Sequence, residues 1–171
     1  MIIIPGSASK DLGTKVATVL NLEPVFIQYK IFPDGESYIR FTDELKNKDV
    51  VIIQSCSPPQ DKNLIELLLM LDNAKDLGAR SITAIVPYLA YSRQDRRFMP
   101  FEAISIKTIA KLIESTGTDE IITLKLSLAN LIYRGIKGIE SFQFIRSELH
   151  DLNSVTVPAS DPYHLFQDIS L

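Results

Sequence analysis

The sequence predicts an α/β fold, a mostly parallel sheet with helices on both faces. Short, nearly all-apolar runs at Met1–Ile4, Val50–Ile53, Ile82–Val86 and from Ile121 to Leu124 or Leu126 read as strands buried on both sides. Between them lie stretches whose apolar residues recur at helical spacing. The connections are short, and strands that alternate with helices pair in parallel.

Each element has its own signals. Pro5-Gly6 stops the first strand, and Ser7 or Ser9 can cap a helix whose apolar face would be Leu12, Val16, Val19 and Leu20. Val25–Ile31 alternates and is rich in β-branched and aromatic residues, as a strand requires. Phe32-Pro33-Asp34-Gly35-Glu36 places Pro second and Gly fourth in a tight turn, and Ser37–Phe41 returns as its hairpin partner. After Val50–Ile53 comes a polar, proline-rich loop, Gln54–Pro59. Asp61 is the expected N-cap of a second helix with Leu64, Leu67, Leu68 and Leu71 on its buried face and Gly78 as its stop. Ile82–Val86 then delivers the chain to Pro87–Arg97. A third helix follows, with Pro100 near its start, Ile106, Ile109, Ala110 and Ile113 inward, and Gly117 at its end. From about Lys125 the patterns weaken: Leu126, Leu128, Leu131 and Ile132, then Phe142, Phe144 and Ile145, are interrupted by polar residues and turn formers.

The totals narrow the function. The 171 residues, 46% hydrophobic and 23% charged, suit a globular protein with a substantial core. A net charge of −3 argues against a general nucleic-acid or membrane binder, so a phosphate ligand needs a local basic patch. The one cysteine, Cys56, excludes an internal disulfide framework and reads as a small residue at a strand end rather than a catalytic one. With no secretory signal pattern and no long apolar span, the expected location is the cytoplasm.

Phosphate-loop and dinucleotide fingerprints are absent, as is a nucleophile-elbow motif. His150 and His164 have no partners at metal-ligand spacing. A nucleotide would therefore have to be held by assembled loops, and two fit. Arg93, Arg96 and Arg97, beside Tyr88, Tyr91 and Gln94, lie where a strand ends, and guanidinium groups pair phosphate oxygens and stack on rings. The Phe32–Glu36 turn offers a ring to pack a base and the carboxylates of Asp34 and Glu36 to accept from an exocyclic amine.

The runs Phe32–Glu36, Ile53-Gln54-Ser55, Asn63–Leu68, Ile82–Tyr88 and Tyr91–Arg97 resemble, in the same order, ribose-phosphate diphosphokinase, also called phosphoribosyl pyrophosphate synthetase. The resemblance covers residues 1 to about 123. It implies the phosphoribosyltransferase-like N-terminal half of the synthetase. It also implies transfer of the β,γ-diphosphoryl group of ATP to ribose 5-phosphate with Mg²⁺, for nucleotide, histidine and tryptophan synthesis, in a homo-oligomer. By the same resemblance Phe32, Asp34, Gly35 and Glu36 approach the adenine of ATP bound to a neighbouring subunit, and Arg93, Gln94 and Asp95 contact ATP.

The family's next motif is Asp-Leu-His, whose histidine helps hold Mg–ATP; here Lys125-Leu126-Ser127 aligns. The acidic ribose-phosphate loop and the basic catalytic loop are not recognised. The expected organisation is a family-like domain at 1–124 and a divergent tail at 125–171. A frameshifted fragment or a short paralogue would both give that pattern. The expected consequence is little or no activity for the chain alone, with no catalytic or metal-ligating residue assigned. The alternative is a non-catalytic regulatory or assembly partner of a complete synthetase.

Overall fold

The computed structural model describes residues 1–123 and the strand at 141–144. Five strands, β1 (Ile2–Pro5), β4 (Asp49–Ile53), β5 (Ser81–Ile85), β6 (Glu120–Thr123) and β7 (Ser141–Phe144), form one sheet in the order β1-β4-β5-β6-β7. Every neighbouring pair is parallel. β2 (Ile27–Ile31) and β3 (Ser37–Phe41) form a separate antiparallel hairpin. The helices are α1 (Lys10–Val19), α2 (Gln60–Asp76) and α3 (Ser105–Ser115). The α/β class and the parallel sheet are as the apolar runs predict. β7 extends the sheet from within the weakly patterned tail; Ser127, His150 and His164 lie outside the described residues.

Alternation along the strands divides the core between the two faces. Ile4, Val50, Ile52, Ile82, Ala84 and Ile121 point into the main cluster, where Leu64, Leu67, Met70, Leu71 and Ala74 of α2 and Ile106, Ile109 and Ile113 of α3 meet them. Ile3 and Ile53 point the other way and pack with Ala17 of α1. Helices thus lie on both faces.

Four local readings are corrected. Leu12, Val19 and Leu20 are exposed, at 42%, 80% and 48%; the inward residues of α1 are Gly13 and Ala17, with Val16 half-buried. A Cβ on Gly13 would meet Pro5 Cβ at 2.6 Å, so α1 lies too close to β1 for a larger side chain. Ser9 occupies the N-cap position without a side-chain cap; its hydroxyl instead accepts the Ser55 N–H at 2.8 Å. Pro59, not Asp61, precedes α2, and Asp61 lies in the first turn. Finally, α3 begins at Ser105, five residues after Pro100. The chain between them is held in a loop by Glu102, whose carboxylate accepts the N–H groups of Phe98 (2.8 Å) and Met99 (3.0 Å).

At the amino edge of the sheet Arg80 Nε donates to Asp49 at 2.7 Å and Ser81 Oγ does so at 2.8 Å. Asp49 is held well below the carboxylate range by Arg80 first and Ser81 second. This exposed pair clamps β4 to β5 and contributes little to stability.

Candidate functional site

The carboxyl edge is where the polar loops gather. Backbone bonds carry the sheet's ladder beyond the strand ends: Gly6 N–H to Ile53 C=O at 2.8 Å, Gln54 to Ile85 at 3.0 Å, and Cys56 to Tyr88 at 2.8 Å. The loops after β1, β4 and β5 therefore stand side by side on a rigid base. Cys56 is fully buried in it, and that burial pushes its thiol up to about 11. It is a packing residue with little thiolate at neutral pH.

The loop after β5 first plunges inward, with Leu89, Ala90 and Ser92 buried. Between them Tyr91 takes a left-handed turn, φ 64°, and its hydroxyl donates to the Asp61 carboxylate on α2. That bond to an anion, with some loss of solvation, raises the Tyr91 pKa. The loop lines a cleft of about 540 Å³ with Ser57, Asp61, Tyr88, Tyr91, Arg93 and Gln94 among its walls. The three arginines part company here. Arg93 faces the cleft, Arg96 lies 5.0 Å from the Phe98 ring, and Arg97 Nε donates to the Glu102 carbonyl at 2.9 Å. Gln94 Nε2 donates to Glu102 at 3.2 Å, and Asp95 is half-buried beside it.

Glu102 is the organiser that the sequence reading missed. The N–H groups of Met99 and Phe98 outweigh its slight desolvation and hold its pKa low. The loop it ties off presents Phe98, Met99 and Phe101 to solvent, Phe101 at φ 68°. A left-handed phenylalanine is strained, and its exposed ring gains nothing in return. Phe101→Asn is expected to raise the unfolding free energy by about 0.5–1 kcal/mol, since Asn tolerates this region; a lower denaturant midpoint for the variant would refute that.

The hairpin turn forms as its sequence dictates. Gly35 N–H donates to the Phe32 carbonyl at 2.9 Å and Phe32 N–H to the Glu36 carbonyl at 2.8 Å, with Gly35 at φ 95°, where glycine carries no Cβ penalty. Asp34 Oδ1 accepts the Glu36 N–H at 3.2 Å. Phe32, Asp34, Gly35 and Glu36 are all exposed. The Phe32 ring packs edge-on against Tyr38, centroids 5.8 Å apart, and Lys30 Nζ lies 4.8 Å from the one and 4.7 Å from the other. Residues 32–36 do not line the Arg93 cleft, so the two predicted loops are separate surfaces of one chain.

A buried polar network lies between hairpin and sheet. Glu66 of α2 is fully buried and accepts from Ser7 Oγ, from Ser37 Oγ at 2.7 Å and from Lys62 Nζ at 3.1 Å. Gln54 donates to Ser7 Oγ at 3.1 Å and accepts the Ala8 N–H at 3.0 Å. The first turns of α2 thus hold both loops, Asp61 through Tyr91 and Glu66 through Ser37. Among the described residues no group of three His, Cys, Asp or Glu could hold a metal ion, and no helix is long and apolar enough to cross a membrane.

Fold and rim together define an α/β domain whose parallel sheet carries its polar loops on the carboxyl edge. A family model for the N-terminal domain of ribose phosphate pyrophosphokinase matches residues 1–117. The chain belongs to that family. It is 48% identical over 125 residues to a ribose-phosphate pyrophosphokinase from Saccharolobus solfataricus, covering 73% of this chain and 43% of that protein. With the enzyme from Methanothermobacter thermautotrophicus the match is 39% over 162 residues, 93% of this chain and 56% of the relative. The crystal structure of phosphoribosylpyrophosphate synthetase from Mycobacterium smegmatis superposes with a TM-score of 0.74 at 29% identity, over 80% of this chain and 46% of that one. The chain spans about half the length of these relatives.

Proposed function

We propose that this chain binds ATP as the N-terminal part of a ribose-phosphate pyrophosphokinase, with Arg93, Gln94 and Asp95 at the phosphates and Phe32, Asp34, Gly35 and Glu36 at the adenine. The observation that carries the reading is the Arg93 cleft, a tyrosine-walled opening lined by one arginine, Arg93, and one aspartate, Asp61, on the carboxyl edge of a parallel sheet, where ligands of such sheets sit. A guanidinium there supplies charge-assisted bonds to a triphosphate, and diphosphoryl transfer depends chiefly on such positioning and charge. Since the Phe32 turn and the cleft are separate surfaces, a full nucleotide site needs a second chain, a copy of this one or a complete synthetase. The activity of the whole enzyme is transfer of the diphosphoryl group to ribose 5-phosphate. Among the described residues no group of three His, Cys, Asp or Glu could hold Mg²⁺, so the ion would enter with the nucleotide. The setting we propose is the cytoplasm.

Equilibrium binding of ATP to the purified chain tests the reading. Arg93→Ala is expected to raise the dissociation constant by roughly 10- to 100-fold, the loss of one or two charge-assisted hydrogen bonds. An unchanged constant would sink it. AMP release with ribose 5-phosphate, assayed in parallel, separates binding from turnover.

A further inference from the structure

A carboxylate is not kept out of water without compensation, and the compensation at Glu66 comes from three places. Ser7 belongs to the loop after β1, Ser37 opens β3, and Lys62 lies one turn earlier on α2. Burial pushes the carboxyl's pKa up; the hydroxyls of Ser37 and Ser7 and the Lys62 amine outweigh that and hold it below the ordinary glutamate value. The group is an anion that draws donors toward a fixed point.

One of those donors is in a particular position. Ser37 pairs with Ile31, the last ladder pair before the Phe32–Glu36 turn. Away from the turn, Phe41 is buried in the main core, and its ladder partner Ile27 and the mid-strand Ile39 pack on that core. Lys62, the partner of Glu66, also reaches over the hairpin, with its Nζ 5.0 Å from the Tyr29 ring. A two-stranded ribbon has little rigidity of its own. Anchored there alone, it would pivot about Ile27, Ile39 and Phe41, and its tip would sweep the widest arc. The Ser37–Glu66 bond ties down the tip end.

We propose that Glu66 is a positioning residue for the nucleotide base, fixing through Ser37 where the Phe32–Glu36 turn stands. The proposal rests on the ATP reading given above. Glu66 touches no ligand itself; its effect is on the ring and carboxylates that do. A displacement of the turn by an ångström is enough to forfeit such contacts. Contacts to phosphate, made elsewhere, would be untouched.

The test compares ATP with inorganic tripolyphosphate, which has no base, on the full chain. Ser37→Ala cuts the tie yet leaves Glu66 with Ser7 and Lys62. It is expected to weaken ATP about tenfold, the worth of one hydrogen bond to a charged group, and to leave tripolyphosphate within twofold. Amide hydrogen exchange across residues 32–37 should quicken while that of β4 and β5 is unchanged. Ser37→Thr, which keeps the hydroxyl, should restore ATP binding. Ala74→Gly, a destabilising change at the far end of α2, controls for stability alone. If Ser37→Ala binds ATP like the unaltered chain while Phe32→Ala binds it poorly, the ATP reading stands and the role of Glu66 is wrong. Equal losses in Ser37→Ala and Ala74→Gly, or equal losses for ATP and tripolyphosphate, also overturn it. If Phe32→Ala binds ATP normally, or the unaltered chain does not bind it, the ATP reading itself fails and takes the proposal with it.

Discussion

Glu66→Ala is expected to lower the unfolding free energy by about 3 kcal/mol, the lower end of the range for breaking a buried ion pair. The lower end applies because Lys62 is one-third exposed and can turn to water. Gln54, which donates to Ser7, cannot do so as readily, since it is fully buried. For a domain of this size the loss corresponds to a melting point roughly 10 °C lower. The acid limb of the stability curve carries the same information with a fixed sign. The Glu66 pKa is depressed in the folded protein from an ordinary 4.5. Its contribution is therefore fully present above that value and is lost as pH falls through the lower, folded one. Glu66→Gln should flatten that limb below about pH 4.5. A melting point within a degree or two of the unaltered protein would show the network to be dispensable.

Gly13→Ala is expected to cost about 2 kcal/mol, although alanine is the better helix former. The helical preference is worth roughly 1 kcal/mol in its favour. Against it, the new Cβ would stand 2.6, 2.8 and 2.9 Å from Pro5 Cβ, Cγ and Cα. A proline ring and a backbone carbon cannot swing aside as a long side chain can, and overpacking of this kind costs about 1–3 kcal/mol, occasionally more. α1 must move off β1, which opens the cluster of Ile3, Ile53 and Ala17. Urea unfolding measures the difference directly; a stabilised variant would mean that α1 is free to shift.

The strands were legible because a strand buried on both faces needs a continuous apolar run, and Ile2-Ile3-Ile4 or Val50-Val51-Ile52-Ile53 can hardly be anything else. α1 was misread because counting large apolar residues favours Leu12, Val19 and Leu20. Here close approach won, and close approach selects small residues that carry no hydrophobic signal. Glu66 was hidden among leucines, yet it shares a helical face with Asn63 and Met70, and that phase placed it inside. Nothing local in the sequence says that the Glu102 carboxylate serves the N–H groups of Phe98 and Met99. The Phe32 turn and the Arg93 loop could be named from their residues. That they face different surfaces depends on the packing of the hairpin against α2, which pattern alone does not contain.

The sheet's order also has a bearing on synthesis. Ile2 finds its ladder partner only at Val50, so β1 leaves the ribosome and waits for about 50 more residues. At 5–20 residues per second that is roughly 3–10 s. Throughout it Ile2, Ile3 and Ile4 lack the neighbouring strand that will pair with them, while the β2–β3 hairpin, whose strands are separated by five residues, can close on its own in about 1–10 μs. Both strands of the hairpin are therefore available before the sheet's first pair, and β1 stays without its sheet neighbour in the meantime.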